Sequence, residues 1–247
     1  MHVKAFIIHL ARSTARWPQV QRLQSQLPIP SEVIAAVDGK SLSTARYEQV
    51  VRRRLHTPSY PFPLSKGEAG CFLSHRLAWQ RVLSEKLDAA IILEDDVDLH
   101  ADTASDVITA AIAGVEPDEW IRFPHAQRGE SGPAVRTSGL ATTIEPWLPG
   151  RGMLMQAVGP IAAQRLLAAS HHFDRPVDSY LQMQWLHGAR VLSMRPFIVE
   201  HVDHRLGGSV LQNKHRGVMD RAYRELCRPI LRLSVRAAND QWRRRAA

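Results

Sequence analysis

The chain has 247 residues, of which 45% are hydrophobic, with two cysteines and a formal net charge of +8. That is enough for one large α/β domain with a sizeable core, and it excludes a disulfide framework; Cys71 and Cys227 read as core fillers of a reducing compartment. The apolar run Ala5 to Leu10 is too short for a secretory signal and no later stretch approaches a membrane span, so a cytoplasmic protein is expected.

In chain order, Lys4 to Leu10 reads as a first strand and Arg12 to Leu27 as a helix, with Trp17, Val20, Leu23 and Leu27 at spacings of three and four. Glu32 to Val37 is a second strand, stopped at the turn signal Asp38-Gly39. His56 to Lys66, with three prolines, reads as a loop able to act as a lid, followed by a helix from Lys66 to Lys86 and a third strand from Ala89 to Leu93. Trp120 to Phe123 and Leu154 to Val158 are further strands, separated by a second lid-like loop, His125 to Gly152. Arg190 to Val202 holds one more strand, broken near Pro196. Such alternation predicts a mostly parallel sheet with helices on both faces. There is no internal repeat and no heptad pattern.

The densest chemistry follows the third strand. Glu94, Asp95 and Asp96 are consecutive, and Asp98 follows two residues on. Unpaired buried charge is costly, so these acids are expected where the strand emerges at the carboxyl edge of the sheet, the edge at which open α/β sheets bind ligands. Hard oxygen ligands there suit Mg²⁺ or Mn²⁺ together with a phosphate-bearing substrate such as a nucleotide-sugar. A plain acidic loop capping the next helix fits the same three residues.

Five dispersed segments narrow the choice. They are Ile7 to Arg16, Ala36-Val37-Asp38-Gly39, Gly67-Glu68-Ala69-Gly70-Cys71-Phe72-Leu73-Ser74-His75, Ile92 to Val97, and Pro176-Val177-Asp178. In order and spacing they resemble glycosyltransferase family 25, over roughly residues 3–200; the Gly-Glu-x-Gly-Cys-x-x-Ser-His and Leu-Glu-Asp-Asp-Val runs are the most specific pieces. The resemblance implies a GT-A-like fold for residues 1–213, a UDP-sugar donor, most often UDP-galactose, a lipid-linked lipopolysaccharide-type acceptor, and transfer with inversion. His9 and Ala11 depart from the family, where Asn and an acid are common, which leaves the donor sugar open.

On this reading Glu94 and Asp96 resemble a metal-binding D-x-D pair, with Asp95 between them meeting the ribose or donor sugar. A C-terminal histidine is a further expected ligand, His201 before His204. Inversion by single displacement needs a base for the acceptor hydroxyl, and Asp178 is the candidate, with helix capping as its other reading. Arg12 and Arg16 are expected at the diphosphate or uracil, with a solvated helix start as their other reading, Asp38 and Gly39 beside the nucleotide, and Ser74 and His75 within reach of the donor, with a buried structural histidine as the other reading of His75.

The charge is uneven. From Lys214 onward there are ten Lys or Arg against three acids, while residues 1–213 carry 22 against 21. At ~100° per residue, Met219, Tyr223, Leu226, Ile230 and Leu233 fall on one side of a helix and Arg221, Arg224, Arg228 and Arg232 on the other, with a kink or restart at Pro229. Residues 214–247 are therefore expected as a basic amphipathic tail that either docks its apolar stripe on the catalytic domain or lies on an anionic inner-membrane leaflet. A nucleotidyl- or phosphotransferase would use the same carboxylates. Nucleic-acid binding would use the same basic charge but lacks a motif, so no nucleic-acid partner is expected.

Overall fold

A computed structural model describes residues 1–125, 130–205 and 218–246. The elements are β1 (Val3–His9), α1 (Trp17–Gln26), β2 (Ser31–Ala35), α2 (Thr44–Val50), α3 (Lys66–Ser84), β3 (Ala89–Glu94), β4 (Val97–Leu99), α4 (Ala101–Gly114) and β5 (Glu119–Arg122). They continue with β6 (Ala134–Ser138), β7 (Ala141–Ile144), β8 (Met155–Val158), α5 (Pro160–Ala169), α6 (Val177–Leu181), α7 (Gln184–His187), β9 (Arg190–Arg195), β10 (Val199–His201) and α8 (Val218–Ala246).

Eight strands form one sheet in the order β2-β1-β3-β8-β5-β9-β7-β6. Six of the eight run in one direction; β8 and β7 run against them. The mixed α/β architecture with a large, mostly parallel sheet and a C-terminal helix is as expected. Period-two alternation puts each strand into two cores: along β1, Ala5 and Ile7 face one way and Phe6 and Ile8 the other. The first face is covered by α1 and α4 through Val20, Leu23, Val107 and Ile108. The second is covered by α3, α5 and α6 through Phe72, Trp79, Ala162, Leu166 and Tyr180.

Several expectations need correction. Trp17 is 44% exposed, because α1 begins at that residue and only Val20 and Leu23 turn inward. The stretch 125–152 contains the β6–β7 hairpin, whose outer strand is too exposed to show a buried period. The 56–66 loop is tied down, with the His56 N–H donating to Asp174 Oδ2 (3.2 Å) and Arg175 Nη2 donating to the Pro58 carbonyl (2.8 Å). The break at Pro196 is as expected, and it frees β10 to pair antiparallel with β4 in a separate two-stranded sheet, setting His201 opposite Val97.

The tail helix runs without a restart through Pro229. Its docked side is not the apolar stripe. Val235 and Asn239 are buried, whereas Leu226, Ile230 and Leu233 are 66–71% exposed. The Asn239 side chain donates to the Gln182 carbonyl (2.8 Å) and accepts the Gln184 N–H (3.2 Å), and these backbone groups choose the face. The side chains of Met219, Tyr223, Arg221 and Arg224 lie outside the described residues. No described helix is long and apolar enough to cross a membrane.

Candidate active site

Because β1, β2 and β3 are parallel, His9, Ala35 and Glu94 end at one edge, and the segments that follow them meet there. They enclose a cavity of about 400 Å³. Its lining includes nine of the expected residues, Arg12, Arg16, Asp38, Gly39, Ser74, His75, Glu94, Asp95 and Asp96, and also Lys40, Lys66 and Cys71, which carried no expectation as site residues. The fourth wall is the start of α3, fixed by a capping box in which Ser65 Oγ accepts the Glu68 N–H and the Glu68 carboxylate accepts the Ser65 N–H.

Gly39 and Gly70 are dictated by backbone crowding. A Cβ on Gly39 would lie 2.4 Å from the Lys66 carbonyl oxygen, and one on Gly70 would lie 2.6 Å from that of Val37. Gly39 therefore lets the 36–39 loop approach α3, where nucleotide proximity had been the expected reason. Ser74 holds the same loop: its hydroxyl accepts the Val37 N–H (2.8 Å) and donates to the Gly70 carbonyl (2.8 Å). Arg12 Nε donates to Asp38 Oδ2 (2.7 Å), and this guanidinium is the main reason the Asp38 carboxyl lies below its ordinary range.

The three consecutive acids diverge. Asp95, 5% exposed, is held by Arg16 (2.6 Å to Oδ1) and by His9 Nδ1 (2.7 Å to Oδ2). Both of its oxygens are engaged, and the unusual His9 has a defined partner. Arg16 also reaches Asp96 Oδ2 (3.2 Å), so this buried guanidinium bridges two acids. Asp96 meets His201 Nε2 at 3.5 Å, and the Val202 N–H donates to the Asp96 carbonyl (2.8 Å), a contact supplied by the β4–β10 pairing. Burial pushes the Asp96 carboxyl up, but His201 and Arg16 together leave it below the ordinary value, while the Asp96 hydrogen bond raises His201.

Glu94 turns the other way, toward α3. Its Oε1 accepts from His75 Nε2 (3.2 Å) and from the Cys71 thiol (3.5 Å). Burial, followed by the negative charges of Glu94, Asp178 and Asp96, pushes the thiol well above its usual range. Cys71, His75 and Glu94 are gathered closely enough to hold a metal ion, but the surrounding hydrogen bonds oppose it. Gln156 Oε1 accepts from Trp79 Nε1 (3.1 Å) and from Trp120 Nε1, so the amide must present its NH₂ to His75 Nδ1 (3.0 Å). His75 then carries its own proton on Nε2 and gives it to Glu94, leaving no ring lone pair for a metal.

A divalent ion fits better at Asp96 and His201. Asp96 Oδ1 is buried without a hydrogen-bond partner while its Oδ2 meets His201, so this carboxylate keeps a hard oxygen of the kind that Mn²⁺ or Mg²⁺ accepts. The side chain of His204 lies outside the described residues.

Asp178 is half-buried in the first turn of α6. It does not cap that helix: Oδ2 accepts the Gly152 N–H (3.2 Å) and Oδ1 the Ser179 hydroxyl (3.2 Å). The expected helix Ser179 to Leu186 is two short ones, α6 and α7. Gly152 is itself placed by Arg122, which donates to the carbonyls of Gly152 (3.1 Å) and Arg151 and is paired with the buried Glu130 (2.7 Å).

The family model described as "Glycosyltransferase family 25 (LPS biosynthesis protein)" matches residues 2–130, just over half of the chain. The chain belongs to glycosyltransferase family 25. Procollagen galactosyltransferase 1 of Danio rerio is 35% identical over 97 residues, 38% of this chain and 16% of that protein. The Mus musculus protein named "Inactive glycosyltransferase 25 family member 3" is 34% identical over 99 residues, again 38% of this chain and 16% of that one. The match thus spans about a sixth of the length of these family 25 relatives. A solved glycosyltransferase, involved in glycosylation of the major capsid of PBCV-1, aligns with 68% of this chain and 65% of its own at 12% identity and a TM-score of 0.36. The family 25 segment contains every residue found lining the cavity, and it ends before Asp178 and His201.

Proposed function

We propose that this family 25 member transfers a hexose, with galactose the first candidate, from a UDP-sugar to a lipopolysaccharide-type oligosaccharide with inversion at the anomeric carbon. The observation that carries the reading is the convergence of Arg12, Asp38, Glu94, Asp95 and Asp96 on one cavity at the carboxyl edge of the sheet. Arg12, Lys40, Lys66 and the amino end of α3 offer positive charge to a diphosphate. Asp96 and His201 would hold Mn²⁺ or Mg²⁺, which when bound neutralises charge developing on the departing diphosphate.

Asp178 takes the proton from the acceptor hydroxyl as that oxygen forms its bond to the anomeric carbon. The bond from that carbon to the phosphate oxygen breaks on the opposite face, and UDP leaves. The Gly152 N–H orients the carboxylate for this step. Outward-facing Leu226 and Ile230 favour peripheral attachment to an anionic membrane surface that presents a lipid-linked acceptor.

The test is a screen of UDP-, GDP- and CMP-hexoses with Mn²⁺, following release of the nucleoside phosphate with and without lipooligosaccharide. UDP release stimulated by the acceptor supports the reading. Turnover confined to GDP- or CMP-sugars, or release of pyrophosphate, overturns it.

A further inference from the structure

Arg228, Arg232 and Arg236 follow one another at four-residue spacing along α8, which sets them in a row with a rise of about 6 Å between neighbours. The row lies beside the side of the helix turned toward the domain, continuing the face that buries Val235 and Asn239. Between it and the 147–151 segment is an open groove of about 600 Å³, into which Arg151 and Trp147 also project. Four guanidinium groups thus line one depression, and the one carboxylate in its lining, Glu225, is paired with Arg228 (3.0 Å). Arg236 has Asp240 at 4.0 Å, and no ion pair to Arg151 or Arg232 occurs among the described residues. Trp147 is 48% exposed and adds an apolar wall with an N–H donor.

Like charges gathered this way repel one another, so the groove gains most from a ligand with several negative charges, and planar guanidinium forks match phosphate oxygens. One wall of the groove is tied to the candidate base, because Arg151 directly precedes Gly152, whose N–H holds Asp178. We infer that it binds a saccharide carrying two or more phosphate groups, the anionic part of the acceptor. This rests on the transferase reading above. A flat lipid surface suits the groove poorly: the arginines line a concavity facing the domain, while Leu226 and Ile230 point away from it at 71% and 66% exposure.

The test uses the full chain with fructose 1,6-bisphosphate as probe, in Mn²⁺ and excess UDP so that the donor cavity is occupied, followed by titration calorimetry. Saturable binding is expected, with unphosphorylated fructose inert. Arg232→Gln/Arg236→Gln should weaken it about tenfold or more, and Arg151→Gln, on the opposite wall, should weaken the same binding while both variants keep the wild-type melting temperature. Absence of binding, equal binding by the variants, or binding only to phosphatidylglycerol vesicles overturns the inference. Turnover of a UDP-sugar without bisphosphate binding removes the groove and leaves the transferase reading standing. Bisphosphate binding lost in the variants, with no nucleotide-sugar turned over, removes the transferase reading and leaves only an anion site.

Discussion

Two indole N–H groups, Trp79 and Trp120, converge on the amide oxygen of Gln156, and the chain of donors runs from there through His75 to Glu94. Replacing Gln156 by Leu leaves two buried indoles and a ring nitrogen without partners, at about 1–3 kcal/mol for each unsatisfied group. Urea denaturation should therefore show a loss of about 2 kcal/mol or more, and a midpoint unchanged from wild type would show that the network contributes nothing. Asp178→Asn should reduce turnover by ~10²-fold or more with UDP affinity preserved, since loss of a general base acts on the transition state. Steady-state kinetics beside UDP titration checks this, and a variant that melts early yet turns over normally would make Asp178 a purely structural acceptor for Gly152. The acids, Arg12 and Asp38 were legible in sequence because charge directly after an apolar strand has few places to go. Gln156 and Arg122 were not. Gln156 is the one polar residue of β8 and Arg122 ends β5, which also buries Glu119, and Gln156 finds its partners 36 to 81 residues away, where no local pattern points.

Among the elements, strands β1, β3, β5 and β9 and helix α3 could be read directly, since runs buried on both sides and bounded by turn residues leave little ambiguity. Helix α8 was legible as an amphipathic helix but not in its orientation. The moment of a helix locates its apolar side, whereas here Asn239, fully buried and bonded to Gln182 and Gln184, determines which side docks. Asn239→Leu should cost on the order of 2 kcal/mol by leaving those backbone groups unmet. Leu226→Ser/Ile230→Ser should leave stability within about 0.5 kcal/mol per site, because both residues are exposed, and should weaken binding to vesicles containing anionic lipid. Thermal or urea melts and vesicle co-sedimentation separate these effects. A double variant that sediments like wild type would dismiss the stripe as a membrane contact.

At the scale of the whole molecule, burial on both sheet faces makes stability depend on groups far from the cavity. His187 is buried at the end of α7; its Nδ1 accepts the Ala189 N–H (3.1 Å), and its Nε2 donates to the Leu181 carbonyl (3.2 Å). Burial lowers its pKa to about 4. The unfolded chain takes up this proton near the ordinary value of about 6.5, whereas the folded one resists until about 4. The stabilising contribution, roughly 3 kcal/mol, is therefore complete above pH 6.5 and is lost as the pH falls toward 4. Urea midpoints at pH 7 and pH 4.5 should show this fall, and His187→Gln should make it shallower; an unchanged slope would assign the acid sensitivity elsewhere. Titration calorimetry of UDP into the full chain probes the cavity at the carboxyl edge of β1, β2 and β3. The prediction is that Mn²⁺ supports UDP binding, that EDTA or Asp96→Asn weakens it about tenfold or more, and that the melting temperature of Asp96→Asn stays near wild type. Failure of the wild-type chain to bind UDP, or binding as tight in EDTA and in Asp96→Asn as in wild type with Mn²⁺, would show that this cavity is not a metal-dependent UDP site.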